Sequence, residues 1–289
     1  MARKRSSPGR PPARTGRDAP APVHQVQPRP ASPPAGPSTA GDQPLPPQPA
    51  TPPQPPSLEA EASAPAAAPR PDSLDAALTR HGLSLPAAQA ALVDRYCQLL
   101  WDWNQKLNLT RHTDYGRFVG RDLVDALQLA PLLALGERVL DVGTGGGVPG
   151  LLLAILRPDL DVTLCDSVQK KARAVASIVA ALGLEVPVLP LRAEQVLKDH
   201  TFDTLVIRAV GPLPKLLADF RRYWPRFRRM LVFKGPRWSE ELAEARRRGL
   251  LRGLSSLVRA EYPLPEGSGK SVVLEIRPEK APPPSKTFA

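Results

Sequence analysis

Cysteine is nearly absent: Cys97 and Cys165 are the two in 289 residues, far apart and without metal-ligand spacing. That excludes a disulfide framework and leaves both as buried thiols of a reducing compartment. The four histidines, His24, His81, His112 and His200, form no HExxH pattern and no Cys/His cluster, so no metal site is expected. No stretch reaches the ~18 uninterrupted apolar residues of a membrane-spanning helix. The basic start, Met1-Ala2-Arg3-Lys4-Arg5, lacks the apolar run of a secretory signal. The expectation is a cytoplasmic protein with no membrane or metal partner.

Proline is in excess, and unevenly. Of 37 prolines, 21 precede Ser73 and 16 follow it. Residues 1–72 are almost without aromatic or β-branched side chains, so they cannot bury enough apolar surface to offset their ordering entropy. A disordered leader is expected there, and a short disordered tail over 281–289. What remains is one domain of about 210 residues, enough for a sizeable core. The net charge is +11, and the leader, with 8 Lys+Arg against 5 Asp+Glu, holds only +3 of it. The folded part is therefore basic in its own right. Such an excess points to a polyanionic partner, or to a solvated arginine-rich surface.

From Ser73 the pattern is helical. Ser73 caps a short helix ending near Gly82, and Ser84, with Pro86 in the first turn, caps a longer one. Ala88, Leu92, Tyr96, Leu99, Trp103 and Leu107 form its apolar stripe. A further helix spans about Arg117 to Leu133, broken by Pro131. Residues 73–135 thus form a helical segment expected to pack on a domain over 136–280. In that domain short apolar runs alternate with helix-length segments: 138–142, 161–166, 186–191, 203–210 and 229–234. This alternation implies a parallel sheet covered on both faces. Runs at 257–263 and 271–277, joined by Glu266-Gly267-Ser268-Gly269, predict an antiparallel hairpin. The fold class expected is α/β: a Rossmann-like, seven-stranded, mostly parallel sheet closed by a C-terminal hairpin, as in class I methyltransferases.

The densest signal is Asp141-Val142-Gly143-Thr144-Gly145-Gly146-Gly147-Val148-Pro149-Gly150, leaving the first strand and opening a helix. Glycine accepts positive φ and lets a ligand approach the backbone, and the free N–H groups of a helix start favour an anionic group. The first strand-to-helix turn is where doubly wound sheets bind nucleotides. Asp166, ending the second strand 23 positions after Gly143, is suited to accept from both ribose hydroxyls; the plainer alternative is a capping carboxylate. NAD and S-adenosylmethionine both satisfy this pair. The acidic Asp141 ahead of the glycines, and no hydride-transfer constellation later, favour S-adenosylmethionine.

Leu107-Asn108-Leu109-Thr110, Val139 to Gly150, Asp166-Ser167, Ile207-Arg208-Ala209 and Lys234-Gly235 match one family in order and spacing. The chain resembles, over about 90–278, the bacterial small-subunit ribosomal RNA guanine-N7 methyltransferases, formerly called glucose-inhibited division protein B. The resemblance implies 16S ribosomal RNA or a small-subunit precursor as partner, a monomer, and S-adenosylmethionine as cofactor. It implies cofactor contacts at Gly143, Val148, Ala193, Glu194 and Arg208, beside Gly145 and Asp166 from the loop and strand end themselves. No catalytic residue is assigned, although Arg208 is a candidate for positioning substrate; its plainer reading is a surface ion pair. Candidates for RNA contact are Arg121, Lys234 and the arginines of Arg221-Arg222-Tyr223-Trp224-Pro225-Arg226, with a second cluster at Arg246-Arg247-Arg248. Trp224 and Phe227 read as core.

N7 of guanine carries a free lone pair, so its methylation needs no general base. The chain accordingly lacks an Asn/Asp-Pro-Pro-Tyr motif, and Cys165 sits inside a strand. Some positions depart from the family. Its Arg-His-x-x-Asp-Ser is here Arg121-Asp122-Leu123-Val124-Asp125-Ala126, Gly146 replaces a usual proline, and Gly211-Pro212 follow Arg208-Ala209-Val210. Asp122 would repel phosphate unless paired, which leaves another acceptor, or a non-catalytic RNA-binding role, as alternatives.

Overall fold

The computed structural model describes residues 72–264 and 269–279. The leader (apart from Asp72), the tail and the centre of the hairpin connection lie outside the described residues.

The domain from Arg138 onward is one sheet of seven strands: β1 (Arg138–Val142), β2 (Asp161–Cys165), β3 (Val188–Leu189), β4 (Phe202–Ile207), β5 (Phe227–Lys234), β6 (Leu254–Pro263) and β7 (Lys270–Pro278). Their order is β3-β2-β1-β4-β5-β7-β6. The first five run parallel, and β7 inserts antiparallel between β5 and β6. This is the sheet the sequence predicts. β3 shrinks to two residues because Pro187 and Pro190 flank it without an N–H to donate. Pro187 still accepts from Leu164 N at 2.8 Å.

Strand alternation sorts the core into two layers. Val139, Val162, Leu164, Val206 and Leu231 share one layer with the N-terminal helices and with α5 (Gly150–Leu156) and α6 (Gln169–Ala181), whereas Leu140, Val142, Leu205, Ile207 and Met230 face the other way. That second layer is closed by α7 (Ala193–Asp199) and α8 (Leu213–Phe220), and α9 (Trp238–Arg247) covers β7.

The N-terminal helices are α1 (Leu74–Arg80), α2 (Ala87–Asn104), α3 (Tyr115–Arg117) and α4 (Val124–Leu129). Ser73 caps α1, accepting from Ala76 N at 3.2 Å. Ser84 does not cap α2; that place falls to Pro86, which offers no side-chain bond. The buried seam of α2 is Val93, Tyr96, Cys97 and Leu100, and Ala88 is exposed. The predicted stripe is off by part of a turn because α2 packs on both α5 and α6. The single helix expected over 117–133 is instead interrupted: Phe118–Leu123 winds as a π-helix between α3 and α4, and Ala130–Leu132 tightens to a 3-10 turn at Pro131. π-Turns frequently mark functional sites, and this one carries Arg121 and Asp122.

Candidate active site

The loop after β1 is held from beneath. Gly143 N and Thr144 N donate to Cys165 O at 2.9 and 3.0 Å, tying the loop to the end of β2. Gly143 has φ +70°, and a Cβ there would lie 2.8 Å from Val210 Cγ2. At Gly150 a Cβ would come within 2.3 Å of Leu164 Cδ2 and 2.6 Å of Asp141 Cβ, so only glycine lets α5 close on the sheet. Asp141 is the internal brace: its Oδ2 accepts from Thr144 Oγ1 at 2.6 Å and from Gly150 N at 2.9 Å. Burial pushes its carboxyl up to about 6, against the pull of those two bonds. The acidic position of the motif thus shapes the loop. Tyr96 reaches the same loop from α2, donating to Gly146 O at 2.8 Å.

Asp166, directly after β2, is the loop's other anchor. Its Oδ2 accepts from Gly145 N at 3.0 Å and its Oδ1 from Val168 N at 2.8 Å. Each oxygen keeps a lone pair for a ligand hydroxyl. A Cβ on Gly145 would meet nothing closer than Gly143 O at 3.9 Å, so the backbone beside Asp166 faces open space. A nucleoside with two vicinal hydroxyls fits this arrangement.

On the far side of β1, β4 stops at Ile207 and Ala209 takes φ 57°, which turns Arg208 out of the sheet. Arg208 Nη2 donates to Asp122 Oδ1 at 2.6 Å, and its Nε lies 2.9 Å from Asp125 Oδ2. His112 Nδ1 meets the other oxygen of Asp122 at 2.9 Å, and Tyr262 Oη donates to Asp125 Oδ1 at 2.5 Å. Burial pushes Asp122 up, but the His112 hydrogen bond and the Arg208 charge outweigh it, and the carboxyl ends below its usual value. Burial wins at Asp125, which is raised despite Arg208 and Tyr262. Arg208 is therefore a largely buried ion pair, not a surface one, and Asp122 is paired on both oxygens.

The glycine loop, Asp166, Arg208, Asp122, Asp125 and His112 line one cleft of about 600 Å³ across the carboxyl ends of the strands. It brings together Gly143, Gly145, Val148, Asp166, Arg208, Arg121 and Lys234 from the sequence-derived candidates. Lys234 is committed elsewhere, however: its Nζ donates to Gly211 O at 2.6 Å and pairs with Glu241 at 2.8 Å. It pins the 208–212 turn, which argues against an RNA contact. Ala193 and Glu194 lie outside the cleft lining, at the start of α7, although the Glu194 charge is felt at Cys165. There burial, aided by Asp141, Asp166 and Glu194, pushes the thiol up to about 12, consistent with an inert core cysteine.

Arg221, Arg222 and Arg226 are exposed on the 3-10 turn that precedes β5. They sit at the amino end of a strand whose carboxyl end reaches the cleft; eight residues of strand put about 25 Å between the two. Phe227 is buried and Trp224 half-buried against the core, as predicted. The sequence reading missed His112, Asp125 and Lys171. His112 shares the cleft through a contact with Asp122, ten residues on and in another element, which no spacing rule announces.

The family model described as rRNA small subunit methyltransferase G matches residues 89–260, more than half of the chain. The chain belongs to that family. A Rhodopirellula baltica protein named ribosomal RNA small subunit methyltransferase G is 48% identical over 188 residues, covering 65% of this chain and 81% of the relative. A Sorangium cellulosum protein of the same name is 41% identical over 182 residues, covering 61% and 76%. Among solved structures, M. capricolum TrmK in complex with S-adenosyl-homocysteine is similar over 56% of this chain and 71% of that chain. Its TM-score is 0.44 and its identity 15%. As a member of the family, the chain is an S-adenosylmethionine-dependent methyltransferase.

Proposed function

We propose that this methyltransferase transfers a methyl group to N7 of a guanine in 16S ribosomal RNA, free or in a small-subunit precursor. It would act as a cytoplasmic monomer. Among the described residues no helix is long and apolar enough to cross a membrane. The observation that carries the reading is the coupling of the glycine loop to Asp166 through Gly145 N, inside a cleft of a chain with this kinship.

In this reading the loop at Gly143, Gly145 and Val148 lies against the cofactor, Asp166 holds its ribose hydroxyls, and Ala193 and Glu194 flank its adenosine from α7. S-adenosylmethionine supplies, when bound, an electrophilic methyl group. N7 carries an in-plane lone pair and no proton, so no side chain has to remove one. What the chain contributes is alignment of the nucleophile and exclusion of water. Arg208 would position the acceptor, its guanidinium locked by Asp122 and Asp125. Methylation leaves positive charge on the guanine ring, and those two carboxylates line the same cleft. Because Asp122 is paired by Arg208 and His112, its replacement of the family's histidine does not present a bare anion to RNA.

The test is labelled methyl transfer to small-subunit RNA from a strain lacking this gene, followed by digestion and separation of nucleosides. Label in N7-methylguanosine is expected. Label in another nucleoside, or none with cofactor binding intact, would overturn the assignment of the acceptor.

A further inference from the structure

Arg121 carries a buried guanidinium nitrogen, Nη1, with no hydrogen-bond partner among the described residues. Buried donors are almost always satisfied, because an unmade bond there forfeits the solvation that water supplied. The usual remedy would be one of the carboxylates nearby. Arg121 stands one residue before Asp122 and one turn before Asp125, and its charge is felt at both Asp125 and Tyr262. Yet neither carboxylate bonds Arg121, and each of their oxygens is directed at another residue. Asp122 gives Oδ1 to Arg208 and Oδ2 to His112. Asp125 gives Oδ2 to Arg208 and Oδ1 to Tyr262. The other buried cation of this half, Lys234, is neutralised by Glu241. Arg121 adds its charge to the field at Asp125 but is left with a forked donor that no group among the described residues accepts from, and it lines the cleft.

We propose that Arg121 is the subsite for a backbone phosphate of the acceptor strand. This rests on the proposed function and deepens it. An anionic oxygen at Arg121 has two sources in that reaction, the carboxylate of the cofactor and the phosphodiester of the RNA. Position favours the second. Asp166 and the glycine loop mark the cofactor's end of the cleft, at β1 and β2. Arg121 lies towards Tyr262 of β6 and Ser271 of β7, on the other side of β4 and β5 in the strand order. A planar guanidinium also suits a phosphate better than a point charge does.

The experiment compares the full chain with Arg121→Gln and Arg121→Lys, after thermal melts establish that each is folded. Cofactor affinity is read by calorimetry with S-adenosylmethionine, and binding of transcribed small-subunit RNA by anisotropy over a salt series. For Arg121→Gln we expect unchanged cofactor affinity and RNA binding weakened about tenfold. The slope of log K against log salt should fall by about one; Arg121→Lys should keep that slope. Loss of cofactor affinity with an unaltered salt slope would give Arg121 to the cofactor carboxylate and overturn the proposal, as would no change in either quantity. Binding is read without methyl transfer, so a chain that methylates a different atom of the RNA fails the proposed function and leaves this subsite standing.

Discussion

Asp122 and Arg208, 86 residues apart in sequence, meet at 2.6 Å in the cleft, with the carboxylate almost fully buried. The same guanidinium holds Asp125 through its Nε. One cation thus contacts two buried carboxylates, Asp122 from the π-turn and Asp125 from α4, and this side of the cleft is assembled around it.

Removing that cation has two effects. Arg208→Ala strands two buried carboxylates and should cost about 3–5 kcal/mol of stability, read by denaturant unfolding. In whatever fraction stays folded, methyl transfer should fall by a larger factor than cofactor affinity. Equal losses in both would place Arg208 in the cofactor pocket alone. Arg208→Lys should rescue poorly, since an ammonium cannot reproduce two contacts made from different nitrogens of one plane.

Gly145→Asp tests the cofactor end. The new carboxylate would project beside Asp166, whose Oδ2 is bonded to the Gly145 amide itself, from a backbone with φ +59°. Like-charge repulsion and lost space should abolish S-adenosylmethionine binding in a calorimetric titration. Unchanged affinity would sink the site assignment.

Asp141 gives a pH signature with a defined sign. Its folded pKa, about 6, lies above the usual 3.8. Between those values the folded state keeps a proton that the unfolded state has lost, so this group's contribution to stability falls as pH rises from about 4 to 6. The interval is worth about 3 kcal/mol. Asp141→Asn keeps an acceptor for Thr144 and Gly150 and cannot ionise. Relative to the wild type it should gain stability between pH 4.5 and pH 7. A constant difference across that range would contradict the assignment.

Lys234→Met separates fold from RNA contact. It leaves Gly211 O and Glu241 without their buried donor, which should cost about 1–3 kcal/mol. The salt dependence of RNA binding should not move. A slope reduced by about one would restore Lys234 as a phosphate contact.

Much of the fold was legible because its signals are local. Apolar runs of strand length alternating with helices require a doubly wound sheet, and glycine at positions 143 and 150 is demanded by the backbone and by close packing. Strand ends were harder. The run through Val210 reads as one strand, but the chain leaves the sheet after Ile207, and that early exit is what frees Arg208 for the cleft. The placement of Arg221, Arg222 and Arg226 was not legible either: their composition suits RNA, and the direction of β5 sets them at the end of the sheet opposite the cleft.

By itself the sequence determined the sheet, the glycine loop and the position of Asp166, since each follows from short-range chemistry: periodicity, positive φ and the turn after a strand. Only the tertiary structure decided which charges are free. Arg121, Arg208 and Lys234 are equivalent cations in the sequence. Burial next to Asp122, Asp125 and Glu241 pairs two of them and leaves Arg121 Nη1 without a hydrogen-bond partner among the described residues, because Coulomb pairing depends on distances that chain separation does not encode.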